Sequence, residues 1–124
     1  MKAKVMIVDD DFVIQTVLQG LLEEEYDLVI CDSGEECLEH VISECPDIIL
    51  LDVQMPGMDG FAVCEHLKDD PATSMIPVIF LSAMESEYEK EEAFRVGGDD
   101  LLLKPVQEVE LKNTLEIVVS MLHK

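Results

Sequence analysis

The sequence predicts an α/β fold: a doubly wound five-stranded parallel sheet with helices on both faces. Three observations predict it. Five short apolar runs, rich in β-branched residues, each begin 20 to 30 residues after the one before: Val5–Val8, Leu28–Cys31, Ile48–Leu51, Val78–Leu81 and Leu101–Leu103. Their hydrophobicity is continuous rather than alternating, as strands buried on both faces require. The intervals between them carry apolar residues at helical spacing, so each strand is followed by a crossover helix.

Taken in order, the first run leads into Ile14, Val17, Leu18, Leu21 and Leu22, which share one helical face with polar residues opposite. After the second run, Ser33-Gly34-Glu35-Glu36 has the form of a capping box. The helix it opens has the apolar face Cys37, Leu38, Val41, Ile42 and Cys45, and Pro46 stops it. Asp59 suits the N-cap of a third helix bearing Phe61, Cys64 and Leu67, which Asp69-Asp70-Pro71 closes. Ser86-Glu87-Tyr88-Glu89 repeats the capping-box form. The helix behind it carries Glu85, Glu87, Glu89, Glu91 and Glu92 against Tyr88, Ala93, Phe94 and Val96, and is expected to be the least firmly held. Gly97-Gly98 ends it, and a last helix buries Leu111, Leu115, Val118, Val119 and Leu122.

The 124 residues are enough for one such domain, expected to span 1–124, and too few for two. Hydrophobic residues make up 48%, which excludes a disordered acidic tail despite 28 Asp and Glu against 8 Lys and Arg. The resulting net charge of −20 repels phosphate backbones and anionic lipid, so neither direct nucleic-acid binding nor membrane binding is expected. Neither a signal peptide nor a membrane anchor is expected, since the apolar stretch after Met1-Lys2-Ala3-Lys4 is only Val5–Val8. Cys31, Cys37, Cys45 and Cys64 form no C-x-x-C and stand at no finger-like spacing from a His. They read as reduced core or helix residues of a cytoplasmic protein.

Doubly wound sheets bind ligands beyond the carboxyl ends of their strands, where the strand order reverses. The first strand ends in Asp9-Asp10, the third in Asp52, the fourth in Ser82 and the fifth in Lys104-Pro105. In the order 2-1-3-4-5 the first and third strands are neighbours, and the acidic pair meets Asp52. Carboxylates about 4 Å apart repel by roughly 4 kcal/mol at an effective dielectric near 20, so the cluster needs a cation or a raised pKa. A hard divalent ion such as Mg²⁺ suits it, and Lys104 adds a compensating charge. An acid just past a strand is often only a turn residue or helix cap, the role expected of Asp11 and Asp32. The coincidence of all four pieces in one α/β pattern is what points to a phosphoryl-transfer site.

The runs Val5-Met6-Ile7-Val8-Asp9-Asp10, Ile48 to Gly60 with its D-x-x-M-P-x-M-D-G pattern, Leu81-Ser82-Ala83 and Leu103-Lys104-Pro105 resemble the receiver domain of bacterial two-component response regulators, the chemotaxis response regulator among them. The resemblance covers the whole chain and implies a flavodoxin-like sheet. It implies Asp52 as phosphoacceptor, Asp10 as a direct Mg²⁺ ligand, Asp9 acting through water and the Gln54 backbone carbonyl as a further ligand. Ser82 would bond the incoming phosphoryl group and Lys104 would pair with it. The partners implied are a sensor histidine kinase or histidine phosphotransfer protein and a downstream output domain or protein. The domain would be a phosphoacceptor that assists its own phosphorylation and dephosphorylation rather than an enzyme. Leu101 and Val106 stand where many receivers carry aromatic residues, and Arg95 is the single Arg, which speaks against an ion-pair-rich dimer face.

Two other functions compete. Asp9-Asp10-Asp11-Phe12-Val13 also fits the D-x-D-x-V of haloacid-dehalogenase phosphohydrolases, with Asp9 as nucleophile and Asp11 as general acid, but Asp99-Asp100 precede the last strand where those enzymes want an acidic pair after one. A phosphorylation-independent interaction module of the same fold is disfavoured by the intact Asp10, Asp52 and Lys104, while Leu101 leaves it room.

Overall fold

The computed structural model describes residues 2–84 and 86–122. Strands β1 (Lys4–Val8), β2 (Asp27–Cys31), β3 (Ile48–Asp52), β4 (Val78–Ser82) and β5 (Asp100–Leu103) alternate with helices α1 (Phe12–Leu22), α2 (Gly34–Glu44), α3 (Gly60–Asp69), α4 (Glu87–Arg95) and α5 (Glu108–Leu122). The five strands form one sheet in the order β2-β1-β3-β4-β5, and every pairing is parallel. Each expected apolar run is a strand, and the strands extend past the runs by a residue here and there, taking in Asp52 and Ser82.

Alternate residues of each strand feed two separate apolar layers. Met6, Val8, Ile49, Leu51 and Phe80 pack under α2, α3 and α4, where the rings of Phe61 and Phe80 meet edge to face at 5.1 Å. Val5, Ile7, Leu50, Ile79 and Leu102 pack under α1 and α5 with Leu18, Leu22, Leu111 and Leu115. Helices therefore cover both faces, and the carboxyl ends of all five strands emerge on one side.

The helix starts follow their capping chemistry. Asp11, Ser33 and Asp59 each accept a hydrogen bond from a backbone N–H in the first turn, at 2.9, 3.0 and 2.9 Å. Cys45 caps α2 in the left-handed region at φ 47°, a conformation that costs a Cβ-bearing residue about 1–2 kcal/mol.

Several expected core positions differ. Val17 on α1 and Ile42 on α2 are half-exposed, and Cys45 faces solvent. The buried line of α1 runs instead through Gln15, Leu18 and Leu22, because Gln15 is drawn inward by polar partners described below. Tyr88 and Phe94 of α4 also point outward, whereas Ala93 and Val96 are buried. Glu85 lies outside the described residues, and so does the side chain of Leu122, for which burial is expected. All four cysteines are free; burial pushes the thiols of Cys31 and Cys37 up to about 12 and that of Cys64 to about 11. Among the described residues no helix is long and apolar enough to cross a membrane.

Candidate functional site: an acidic pocket at the carboxyl ends

Parallel pairing brings β1, β3 and β5 to the same end of the sheet, and each delivers a charged side chain there. Asp9 follows β1 and is fully buried; Asp52 is the last residue of β3 and 4% exposed; Asp10 is exposed. Carboxylate oxygens of Asp9, Asp10 and Asp52 all lie within 4.8 Å of one another. Lys104, just past β5, extends its ammonium between two of them, 3.1 Å from Asp9 Oδ2 and 3.0 Å from Asp52 Oδ1. Its backbone N–H is fixed by the Ser82 carbonyl at 2.7 Å.

The surroundings explain why these groups hold their places. Gln15, buried on α1, donates through Nε2 to the Asp9 carbonyl at 2.6 Å and to Asp32 Oδ1 at 2.7 Å, which pins the turn after β1. The Asp11 N–H donates to Asp9 Oδ1 at 2.9 Å. Behind Asp52, the Val53 carbonyl receives the Gly60 N–H at 2.8 Å. A Cβ on Gly60 would lie 2.3 Å from the Asp52 carbonyl oxygen, so only glycine lets α3 begin this close to the strand end.

Electrostatically the pocket is unfinished. Burial pushes the Asp52 carboxyl up to about 6, the hydrogen bond from Lys104 opposing that rise and the charge of Asp9 adding to it. For Lys104 burial works against the charged form, but its ion pairs with Asp52 and Asp9 outweigh that and its ammonium is held above the ordinary lysine range. Asp9 Oδ2 is buried and accepts no hydrogen bond, its compensation being the nearby ammonium. An orphaned carboxylate oxygen beside two more acids, with oxygen donors alone, is a donor set that fits a hard divalent cation.

Four of the sequence-predicted residues, Asp9, Asp10, Asp52 and Lys104, thus meet in one pocket. Gln54 adjoins it, its backbone N–H 3.4 Å from Asp52 Oδ1. Ser82 stands at the end of β4 beside them, but its hydroxyl is engaged elsewhere: it accepts from the Met84 N–H at 3.1 Å and donates to Glu89 of α4. Two residues escape a reading of the sequence. Gln15 sits in a stretch that reads as a polar helix face, and Glu89 in a helix whose acids read as solvated.

The haloacid-dehalogenase arrangement is not met. Asp11 is the exposed N-cap of α1, and Asp99-Asp100 lie where β5 begins, at the opposite end of the sheet from Asp52.

A doubly wound sheet with an acidic trio, two of its members buried, and a lysine at its switch point defines a signalling receiver domain. Residues 5–116 match the family described as response regulator receiver domain, and the chain belongs to that family, which serves two-component systems. Response regulator PleD of Caulobacter vibrioides is 40% identical over 112 residues, covering 90% of this chain and 25% of PleD. Alkaline phosphatase synthesis transcriptional regulatory protein PhoP of Bacillus subtilis is 35% identical over 120 residues, covering 96% of this chain and 49% of PhoP. The chain therefore spans from a quarter to about half the length of these curated relatives. Among solved structures, chemotaxis protein CheY4 of Vibrio cholerae superposes with a TM-score of 0.90 at 29% identity, covering 95% of this chain and 99% of that one. The receiver domain of Francisella response regulator 1452 superposes with a TM-score of 0.89 at 31% identity, covering 97% and 98%.

Proposed function

We propose that this domain is a phosphorylation-dependent switch in which Asp52 accepts a phosphoryl group from a phosphohistidine, carried by a sensor histidine kinase or a histidine phosphotransfer protein. The observation that carries it is the convergence of Asp9, Asp10, Asp52 and Lys104 on one pocket. An Asp52 carboxylate oxygen attacks phosphorus in line; the new O–P bond forms as the N–P bond breaks, and the imidazole leaves with the bonding pair. Lys104 offsets negative charge on the equatorial oxygens, and its contact with Asp9 holds it in place for that. Asp9, Asp10, Asp52 and the Gln54 carbonyl would hold Mg²⁺, with Asp9 acting through water. When bound, Mg²⁺ neutralises charge that Lys104 alone leaves uncompensated.

Replacing the Asp52 carboxylate by its phosphorylated form adds about one negative charge to the pocket. The Ser82 hydroxyl, at the end of the neighbouring strand, is a neutral donor that can turn to meet it, and its present acceptor Glu89 belongs to α4. The changed surface around α4 would be what a cytoplasmic output domain or partner protein reads. The test is intact-mass measurement after incubation with acetyl phosphate and Mg²⁺. Wild type is expected to gain one phosphoryl group and Asp52→Asn none. Undiminished labelling of Asp52→Asn would remove the assignment, and an unlabelled wild type would favour the phosphorylation-independent module.

A further inference from the structure

α4 is attached to the sheet by little apolar surface. Tyr88 and Phe94 are 69% and 70% exposed, while Ala93 and the C-cap residue Val96 are buried in the layer beneath. The other buried residue of the helix is Glu89, at 6% exposure. A capping box would have this carboxylate reach back to the helix start. It turns inward instead and accepts the Ser82 hydroxyl, and among the described residues no ion pair reaches it. A buried carboxylate served by a neutral hydroxyl is costly to strip of that partner.

Ser82 is equally committed. Its oxygen accepts from the Met84 N–H, and its one proton is shared between Glu89 and the Met84 carbonyl at 3.0 Å. Among the described residues no hydrogen bond joins the Ser82 hydroxyl to the side chain of Asp52 or Lys104.

We propose that Glu89 is a positioning residue that holds the Ser82 hydroxyl, and with it α4, in the resting arrangement, and that a phosphoryl group on Asp52 competes with Glu89 for that hydroxyl. This rests on Asp52 being the phosphoacceptor. One hydroxyl proton cannot serve two anions. Once the phosphoryl oxygen takes it, Glu89 is left buried and unpartnered, and outward movement of a lightly anchored helix lets water reach the carboxylate. The coupling needs no aromatic residue on β5, where the chain has Leu101 half-buried beside the α4 layer.

Beryllofluoride with Mg²⁺, a mimic of the phosphoryl group, is the probe, with affinity read by NMR titration. Freed of its competitor, Glu89→Leu should bind it about tenfold more tightly than wild type, the worth of one such hydrogen bond. Glu89→Gln, which keeps an acceptor oxygen, should stay within about twofold. In a Ser82→Ala background Glu89→Leu should add nothing. Equal affinity of wild type and Glu89→Leu, or a gain that persists without Ser82, would overturn the proposal while leaving the phosphoacceptor intact. A wild type that takes up no beryllofluoride would overturn both. Hydrogen exchange on the wild type gives a variant-free measure: residues 86–96 should exchange faster in the complex, and unchanged exchange there would also overturn it.

Discussion

Replacing Asp52 by asparagine should stabilise the fold near neutral pH when divalent cations are absent, and the gain should fade in acid. Burial, reinforced by the Asp9 charge and resisted by the bond from Lys104, raises the Asp52 carboxyl from 3.8 to about 6. Between those two values the folded chain holds the proton more tightly than the unfolded one does. Stability contributed by this group therefore falls as pH climbs through that window, and the whole penalty is present above it. A rise of about two pH units, at about 1.4 kcal/mol each, amounts to about 3 kcal/mol. Asparagine escapes the penalty but offers Lys104 a weaker acceptor, so the net gain at about pH 8 should be about 2 kcal/mol. Urea unfolding of both proteins in EDTA, at about pH 8 and about pH 4, measures it. A variant no more stable than wild type at the higher pH, or a gain of the same size in acid, would show that the carboxyl carries no such burden. Millimolar Mg²⁺ should stabilise wild type more than Asp52→Asn and narrow the gap, since only the wild type offers all three carboxylates. A gap indifferent to Mg²⁺ would remove Asp52 from the cation site.

Two further outcomes follow from the backbone. Gly60→Ala forces a methyl group against the Asp52 carbonyl, so it should lower stability by more than about 2 kcal/mol and impair labelling by acetyl phosphate, both read on the same preparation; normal labelling with unchanged stability would contradict the close approach. Cys45→Gly relieves the left-handed cap of α2 and should raise stability by about 1 kcal/mol in urea melts, where a loss would contradict the φ of 47°.

The sheet was legible because its strands are buried on both sides: an uninterrupted run such as Ile48-Ile49-Leu50-Leu51 has one stable use in a chain this short. The acidic pocket was legible for a related reason, since parallel strands put every residue that follows a run at the same end. Side-chain direction on the helices was less so. Val17 and Gln15 lie two positions apart on α1, and hydrophobicity alone sends Val17 inward; the Asp9 carbonyl, six residues before Gln15, and the Asp32 carboxylate, seventeen after it, reverse the choice. Glu89 was concealed in the same way. Ser86 does receive the Glu89 N–H at 3.4 Å, half of the capping box, but the other half is replaced by Ser82, which no local pattern connects to it.

The sheet also grades its own stiffness. β3, which ends in Asp52, is laced on one side to β1 and on the other to β4, whereas β5, which leads to Lys104, is laced to β4 alone. The proposed acceptor carboxylate is thus mounted on a strand held from both sides, and its counter-cation follows an edge strand. A charge added at the pocket would therefore meet less resistance at the margin formed by β5 and the helix leading into it than at β3 itself.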